Sequence, residues 1–253
     1  MIFDTHAHYD DKAFDEDRES LLSSLAEKGV GQVLNPGCDV PSSRAALALA
    51  GRFAFVYAAV GIHPEELGDD PMNALREIRS LAAHEKCRAI GEIGLDYYWD
   101  VSRKDEQKAV FAAQMALAQE LEKPVIVHDR EAHADSLEIV LRYPKVQGVF
   151  HCFSGSAEMA KELLRRGWYL GFDGPVTYKN ARKALEVLEI TPPDRILVET
   201  DSPYMSPVPL RGKRNDSSNL VYIINKIAEV KGVTPEEMTQ ITEENGKRLF
   251  HIE

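Results

Sequence analysis

Eight short β-rich segments alternate with helical ones along the 253 residues, and residues of metal-binding type recur at the C-terminal ends of those segments. These observations predict an α/β protein, a single (β/α)8 TIM barrel over residues 1–253 with its site at the C-terminal ends of the strands. The length is close to the ~250 residues typical of that architecture. An open doubly wound sheet is the competing arrangement of the same alternation.

The predicted strands are 1–8, 30–36, 53–62, 89–95, 124–128, 147–152, 167–172 and 195–200. Helical periodicity fills 15–28, 42–50, 71–84, 104–122, 134–142, 157–166 and 180–188 between them, and 219–230 and 235–249 follow the last strand. Strands separated by helices pair in parallel, and eight such units close naturally on themselves. No linker, low-complexity stretch or repeat divides the chain. The segment richest in Pro, Ser and Gly, 202–218, follows the eighth strand and is read as a long final loop.

Hydrophobic residues are 44% and charged residues 28%, which fits a folded domain with a sizeable core. Met1-Ile2-Phe3-Asp4-Thr5-His6 lacks the basic-then-apolar pattern of a signal peptide, and no apolar run reaches membrane-spanning length. A cytoplasmic location is therefore expected. Cys38, Cys87 and Cys152 form neither a disulfide framework nor a close-spaced zinc pattern, and each is read as a small core residue. The net charge of −11 argues against a general electrostatic clamp on nucleic acid, while leaving room for a local basic rim.

The chemistry-bearing residues share one place in the pattern. His6 and His8 end strand one, His63 follows strand three, Glu92 lies in strand four, and His128, His151 and Asp201 follow strands five, six and eight. In a barrel these ends converge on the face where active sites of this fold lie. His6 and His8 are two apart, so on extended backbone both imidazoles point to one side and can grip one ion. A single histidine in an apolar setting reads as a hydrogen-bonded core residue; it is the shared strand-end placement of the set that points to ligands. Glu92 sits among Ala89-Ile90-Gly91 and Ile93-Gly94, where an unpaired carboxylate would cost several kcal/mol and one bridging two cations is stabilised. Asp201 ends an apolar strand and is placed to ligate an ion or take a proton from water. Glu199, deeper on the same strand, is read as orienting a neighbouring ligand.

At these residues the sequence closely resembles the TatD family of metal-dependent deoxyribonucleases. The resemblance runs through Asp4-Thr5-His6-Ala7-His8, Gly61-Ile62-His63-Pro64, Gly91-Glu92-Ile93-Gly94-Leu95-Asp96-Tyr97, Pro124-Val125-Ile126-Val127-His128, His151-Cys152-Phe153-Ser154-Gly155, Glu199-Thr200-Asp201-Ser202-Pro203-Tyr204 and Pro207-Val208-Pro209-Leu210-Arg211-Gly212-Lys213-Arg214-Asn215. It implies a divalent-metal phosphodiesterase of 3′–5′ exonuclease type acting on DNA ends. It implies one ion among His6, His8, Glu92 and Asp201 and a second among Glu92, His128 and His151, with Mg2+ or Mn2+ in use. Glu92 and Asp201 are the expected catalytic residues. Glu65-Glu66 after Pro64, where many relatives have a His, and Asp173 before Gly174, where the family more often has Ser, depart from the pattern.

Hydrolysis of a phosphodiester needs an activated water, charge neutralisation and a stabilised leaving oxygen, which two ions ~3.5–4 Å apart can supply. Mixed His and carboxylate ligands also suit Zn2+ or Fe2+. His63, Arg130, Tyr204, Arg211, Lys213 and Arg214 are the expected substrate contacts, and Tyr97, Phe153 and Tyr204 are candidates for stacking on a terminal base. Two rival readings remain: a metal-dependent amidase, lactonase or deacylase, against which the Arg211-to-Arg214 cluster argues, and a non-catalytic binding protein that retains the barrel, against which the complete candidate ligand set argues. No membrane association and no obligate protein partner are expected.

Overall fold

The computed structural model describes all 253 residues. In chain order its elements are β1 (Ile2–Asp4), α1 (Arg18–Ser24), β2 (Val30–Pro36), α2 (Val40–Arg52), β3 (Val56–Val60), α3 (Pro71–Leu81), β4 (Cys87–Asp96), α4 (Lys104–Glu120), β5 (Val125–Arg130), α5 (His133–Leu141), β6 (Gly148–Phe150), α6 (Ala157–Arg165), β7 (Tyr169–Phe172), α7 (Arg182–Ile190), β8 (Ile196–Val198), α8 (Leu220–Lys231) and α9 (Pro235–Phe250). All eight expected strands form. No helix is long and apolar enough to cross a membrane. The chain divides into two compact units, residues 36–151 and residues 1–35 with 152–253.

In the unit of residues 36–151, β3, β4, β5 and β6 pair in succession, all parallel. Val56, Ala58, Val60, Ile90, Val125 and Val127 are fully buried, the near-continuous apolar character of parallel strands covered on both faces. Helix starts are written in the sequence: the Asp39 carboxylate accepts from the Ser42 backbone in a capping box before α2, and Asp70 accepts from the Asn73 backbone, with Pro71 opening α3. Each such cap contributes about 1 kcal/mol. β4 and β5 are longer than expected because their ladder continues to Leu95 opposite Asp129 and Asp96 opposite Arg130.

In the other unit β1 pairs with β2 and β7 with β8, again in parallel. The Phe3 and Phe250 rings lie 6.1 Å apart, seating α9 on β1, and the Asn245 amide donates to the carbonyls of Pro193 and Ile196 at the entry to β8. The expected helix 15–28 is broken: α1 ends at Ser24 and a tight 3-10 turn, Ala26–Lys28, leads into Gly29 at φ 85°, a left-handed residue that stops a helix. The expected strand 1–8 ends as a regular strand at Asp4. Beyond it the chain stays tied, with Ala7 N–H donating to the Leu34 carbonyl and His8 N–H to the Ser202 carbonyl. His6 and His8 therefore sit just past β1 rather than within it.

Candidate metal centre

The cluster in residues 36–151 is built across β4 and β5. Their register sets Gly94 opposite His128, with Glu92 and Asp96 two residues to either side of Gly94 on the same face of the strand. Gly94 has φ 145°, and a Cβ there would stand 1.9 Å from the His128 carbonyl oxygen, so no other residue fits. The two carboxylates take the two imidazole nitrogens: Asp96 Oδ2 lies 2.9 Å from His128 Nε2 and Glu92 Oε1 lies 3.1 Å from His128 Nδ1. His151 Nε2 is 2.9 Å from the same Glu92 oxygen and 3.2 Å from His128 Nδ1. Nε2–H donates to Asp96, which leaves Nδ1 facing Glu92 and His151, where a bound cation would displace its proton, the arrangement in which a carboxylate orients a metal-ligating histidine. Burial pulls the His128 pKa down, but the hydrogen bonds and charges of Asp96 and Glu92 outweigh it and push it up to about 10. Burial also raises Asp96, yet its bonds from His128 and from the Tyr98 and Trp99 backbones hold it below the usual carboxylate range. The pocket is thus one that draws a cation.

Asp96 stands in the sequence motif, but only the strand register reveals its role. Asp96→Asn should weaken divalent-metal affinity by about 10–100-fold, the usual cost of losing such an orienting partner. Calorimetric titration with Mn2+ measures this; an unchanged affinity would reduce Asp96 to a structural hydrogen bond.

His63 packs edge-on to His128 with ring centroids 4.4 Å apart. Its Nδ1 accepts the Glu65 backbone N–H at 3.2 Å, so Nε2 carries the proton, 3.5 Å from Glu92 Oε1. His63, Glu92 and His128 offer atoms within 4.8 Å of one another, but this tautomer makes His63 a donor in the group.

The second cluster lies in the other unit. His6 Nε2 and His8 Nε2 are 3.0 Å apart, and Asp201 Oδ1 is 3.6 Å from the first and 3.5 Å from the second. Two imidazole nitrogens this close either share a proton or offer both lone pairs to one cation, and with Asp201 they form a three-atom group able to hold an ion. Asp201 is left-handed at φ 53°, a conformation that costs of order 1–3 kcal/mol unless the surroundings impose it. Here its N–H donates to the His6 carbonyl at 2.9 Å and its carbonyl accepts from Tyr204 N–H at 2.8 Å.

Supports surround this group. Asp4 is fully buried and accepts from Thr200 Oγ1 at 2.7 Å, Ser217 Oγ at 2.6 Å and the His6 and Thr200 backbones. Burial pushes its carboxyl up to about 6 against those bonds. Sequence reasoning assigned Asp4 no role, although an acid ending Ile2-Phe3 was a signal. Glu199, also fully buried, accepts the Cys152 N–H at 2.5 Å and so fixes the backbone at that residue. Gly171 makes room for it, since a Cβ there would meet the Glu199 carboxylate at 2.5 Å.

The expected substrate contacts are distributed more variously. Arg214 forks onto Asp17 at 2.7 and 2.6 Å and donates to the Ala13 carbonyl, so its guanidinium is not simply waiting for a phosphate. Exposed pairs of this kind are readily exchanged. Arg211 stacks over Tyr178 at 4.1 Å, and Lys213 is exposed in the same loop. Tyr204 is exposed and its hydroxyl donates to Asp11, Tyr97 donates to Asp135, and Phe153 is buried. Arg130 lies over the Tyr98 ring at 3.8 Å.

The sheet order β1 to β8 follows the sequence, and the class defined by fold and site is a (β/α)8 barrel with His and carboxylate clusters able to hold metal ions. The chain belongs to the TatD family of metal-dependent hydrolases: the profile described as TatD related DNase matches residues 3–251. It is 46% identical over 254 residues to the uncharacterized metal-dependent hydrolase YabD of Bacillus subtilis, covering 100% of both chains. It is 34% identical to the 3'-5' ssDNA/RNA exonuclease TatD of Cronobacter sakazakii, over 98% of this chain and 97% of that one. Among solved structures, YJJV, a TatD homolog from Escherichia coli, superposes with a TM-score of 0.94 at 30% identity, covering 100% of this chain and 98% of its own.

Proposed function

We propose that the protein is a divalent-metal-dependent deoxyribonuclease of 3′–5′ exonuclease type, hydrolysing phosphodiesters at DNA ends. The observation that carries the reading is the orientation of His128 by Asp96, which turns Nδ1 toward Glu92 and His151 as a ligand set. Support also comes from a family relative named as a 3'-5' ssDNA/RNA exonuclease. We assign His6, His8 and Asp201 to one ion and Glu92, His128 and His151 to another. Divalent ions bound there supply charge neutralisation on the phosphate and favour deprotonation of the attacking water. Their mixed nitrogen and oxygen donors suit Mn2+, Zn2+ or Fe2+, while family use points to Mg2+ or Mn2+.

The protein's own groups then divide the work. Asp201 Oδ1, held by its constrained backbone, accepts the proton of the attacking water. His63, protonated at Nε2, donates to a non-bridging phosphate oxygen. Arg130, Arg211 and Lys213 hold neighbouring phosphates, with Arg214 joining them on release from Asp17.

The test is digestion of end-labelled single- and double-stranded DNA and RNA by metal-stripped protein reconstituted with each ion in turn, beside a panel of amides and lactones. Stepwise shortening from the 3′ end is expected with Mn2+ or Mg2+. Turnover of amides or lactones without oligonucleotide cleavage would overturn the proposal.

A further inference from the structure

We propose that the loop leaving β4 carries a stacking platform for one unpaired nucleotide, with the Trp99 ring as its surface and Arg130 as the phosphate ligand beside it. This rests on the nuclease reading above and adds a binding site separate from the two ligand clusters. Tyr98 is 54% exposed and Trp99 65%, adjacent large aromatics that burial would ordinarily claim. They are nevertheless ordered against each other, ring centroids 4.8 Å apart and planes at 87°. The Arg130 guanidinium stands 3.8 Å over the Tyr98 ring and 5.3 Å from the Trp99 centroid. Arg130 thus sits closest to Tyr98 and also reaches the Trp99 ring, and Trp99, the more exposed of the two, offers the larger open surface to a ligand.

The platform is tied to the candidate ligands by a single side chain. Asp96 Oδ1 accepts the backbone N–H groups of Tyr98 at 2.8 Å and Trp99 at 3.4 Å, while Oδ2 holds His128. Arg130 pairs with Asp96 in the β4–β5 register, two residues beyond His128. An aromatic face flanked by a guanidinium matches a nucleotide, whose base stacks while its phosphate pairs with the cation. In a chain of net charge −11 such a cation must act locally to retain a phosphate. Stacking needs a base face that a duplex does not expose, so the platform selects single strands or frayed ends and tolerates any sequence.

The two tryptophans make the test direct, because Trp168 is buried at 2% exposure and Trp99 is the exposed one. Adding short phosphorothioate single-stranded DNA to the Mn2+-loaded protein should quench tryptophan emission, and Trp99→Phe should abolish that quench. Trp99→Ala should raise KM for a single-stranded oligonucleotide by roughly 5–150-fold, the range for losing one base–aromatic stack, with kcat moving much less. The preference for oligonucleotide over bis(p-nitrophenyl) phosphate, taken as a ratio of kcat/KM, should fall in parallel. An unchanged quench in Trp99→Phe, or an unchanged KM in Trp99→Ala, overturns the platform while leaving the nuclease reading intact. Wild-type protein that hydrolyses bis(p-nitrophenyl) phosphate but no oligonucleotide overturns both.

Discussion

Glu92→Ala should cost the protein at least one divalent ion and lower phosphodiester hydrolysis on the order of 10³-fold, since an ion contributes several kcal/mol of transition-state stabilisation. The carboxylate is 3% exposed, with one oxygen 2.9 Å from His151 Nε2, 3.1 Å from His128 Nδ1 and 3.5 Å from His63 Nε2. Three imidazole nitrogens lie within 3.5 Å of this one buried oxygen, and its removal takes that negative charge away from all of them. Glu92→Gln separates charge from volume: the amide fills the same space but its neutral oxygen is a far weaker ligand. Elemental analysis after dialysis reads the stoichiometry. Loss of one ion is the result expected of a ligand in the cluster with His128 and His151. Thermal unfolding gives a second readout, because an ion that binds only the folded state raises Tm with its concentration. That shift should shrink in both variants, and full ion content with an undiminished shift would remove Glu92 from the ligand set.

The candidate ligands stand out in residue order because His and carboxylate side chains are chemically conspicuous where strands otherwise end in apolar residues. His128 and Glu92 fall where the alternation of strands and helices sets them. What escaped depends on contacts that no local pattern encodes. Asp96 acquires its role only through the register that brings it opposite Arg130 and within reach of His128. The engagement of Arg214 with Asp17 joins residues 197 positions apart. Asp4 is an internal strut because Thr200 and Ser217 meet it from across the chain. Neither Tyr98 nor Trp99 is among the residues expected from the sequence; Asp96 holds their backbone N–H groups, and their rings stand exposed.

Asp201→Asn is expected to leave the fold intact and to reduce turnover by roughly 10²–10⁴-fold, the range for removing a general acid or base. The amide preserves size, and Asn tolerates the left-handed backbone at φ 53° about as well as Asp, so the strain at this position is unchanged. Its bonds to the His6 carbonyl and from Tyr204 are made by backbone groups and survive the substitution. What is lost is the negative charge at Oδ1, 3.6 Å from His6 Nε2 and 3.5 Å from His8 Nε2. That loss has two separable consequences. If Asp201 serves as base, the variant retains its ions and binds single-stranded DNA with near-normal affinity while kcat collapses. If it serves as ligand, one ion is lost on dialysis and excess Mn2+ restores part of the activity. Metal-replete Asp201→Asn turning over at the wild-type rate would reject both roles and move the search for the base to Glu199, whose carboxylate is already committed to the Cys152 backbone.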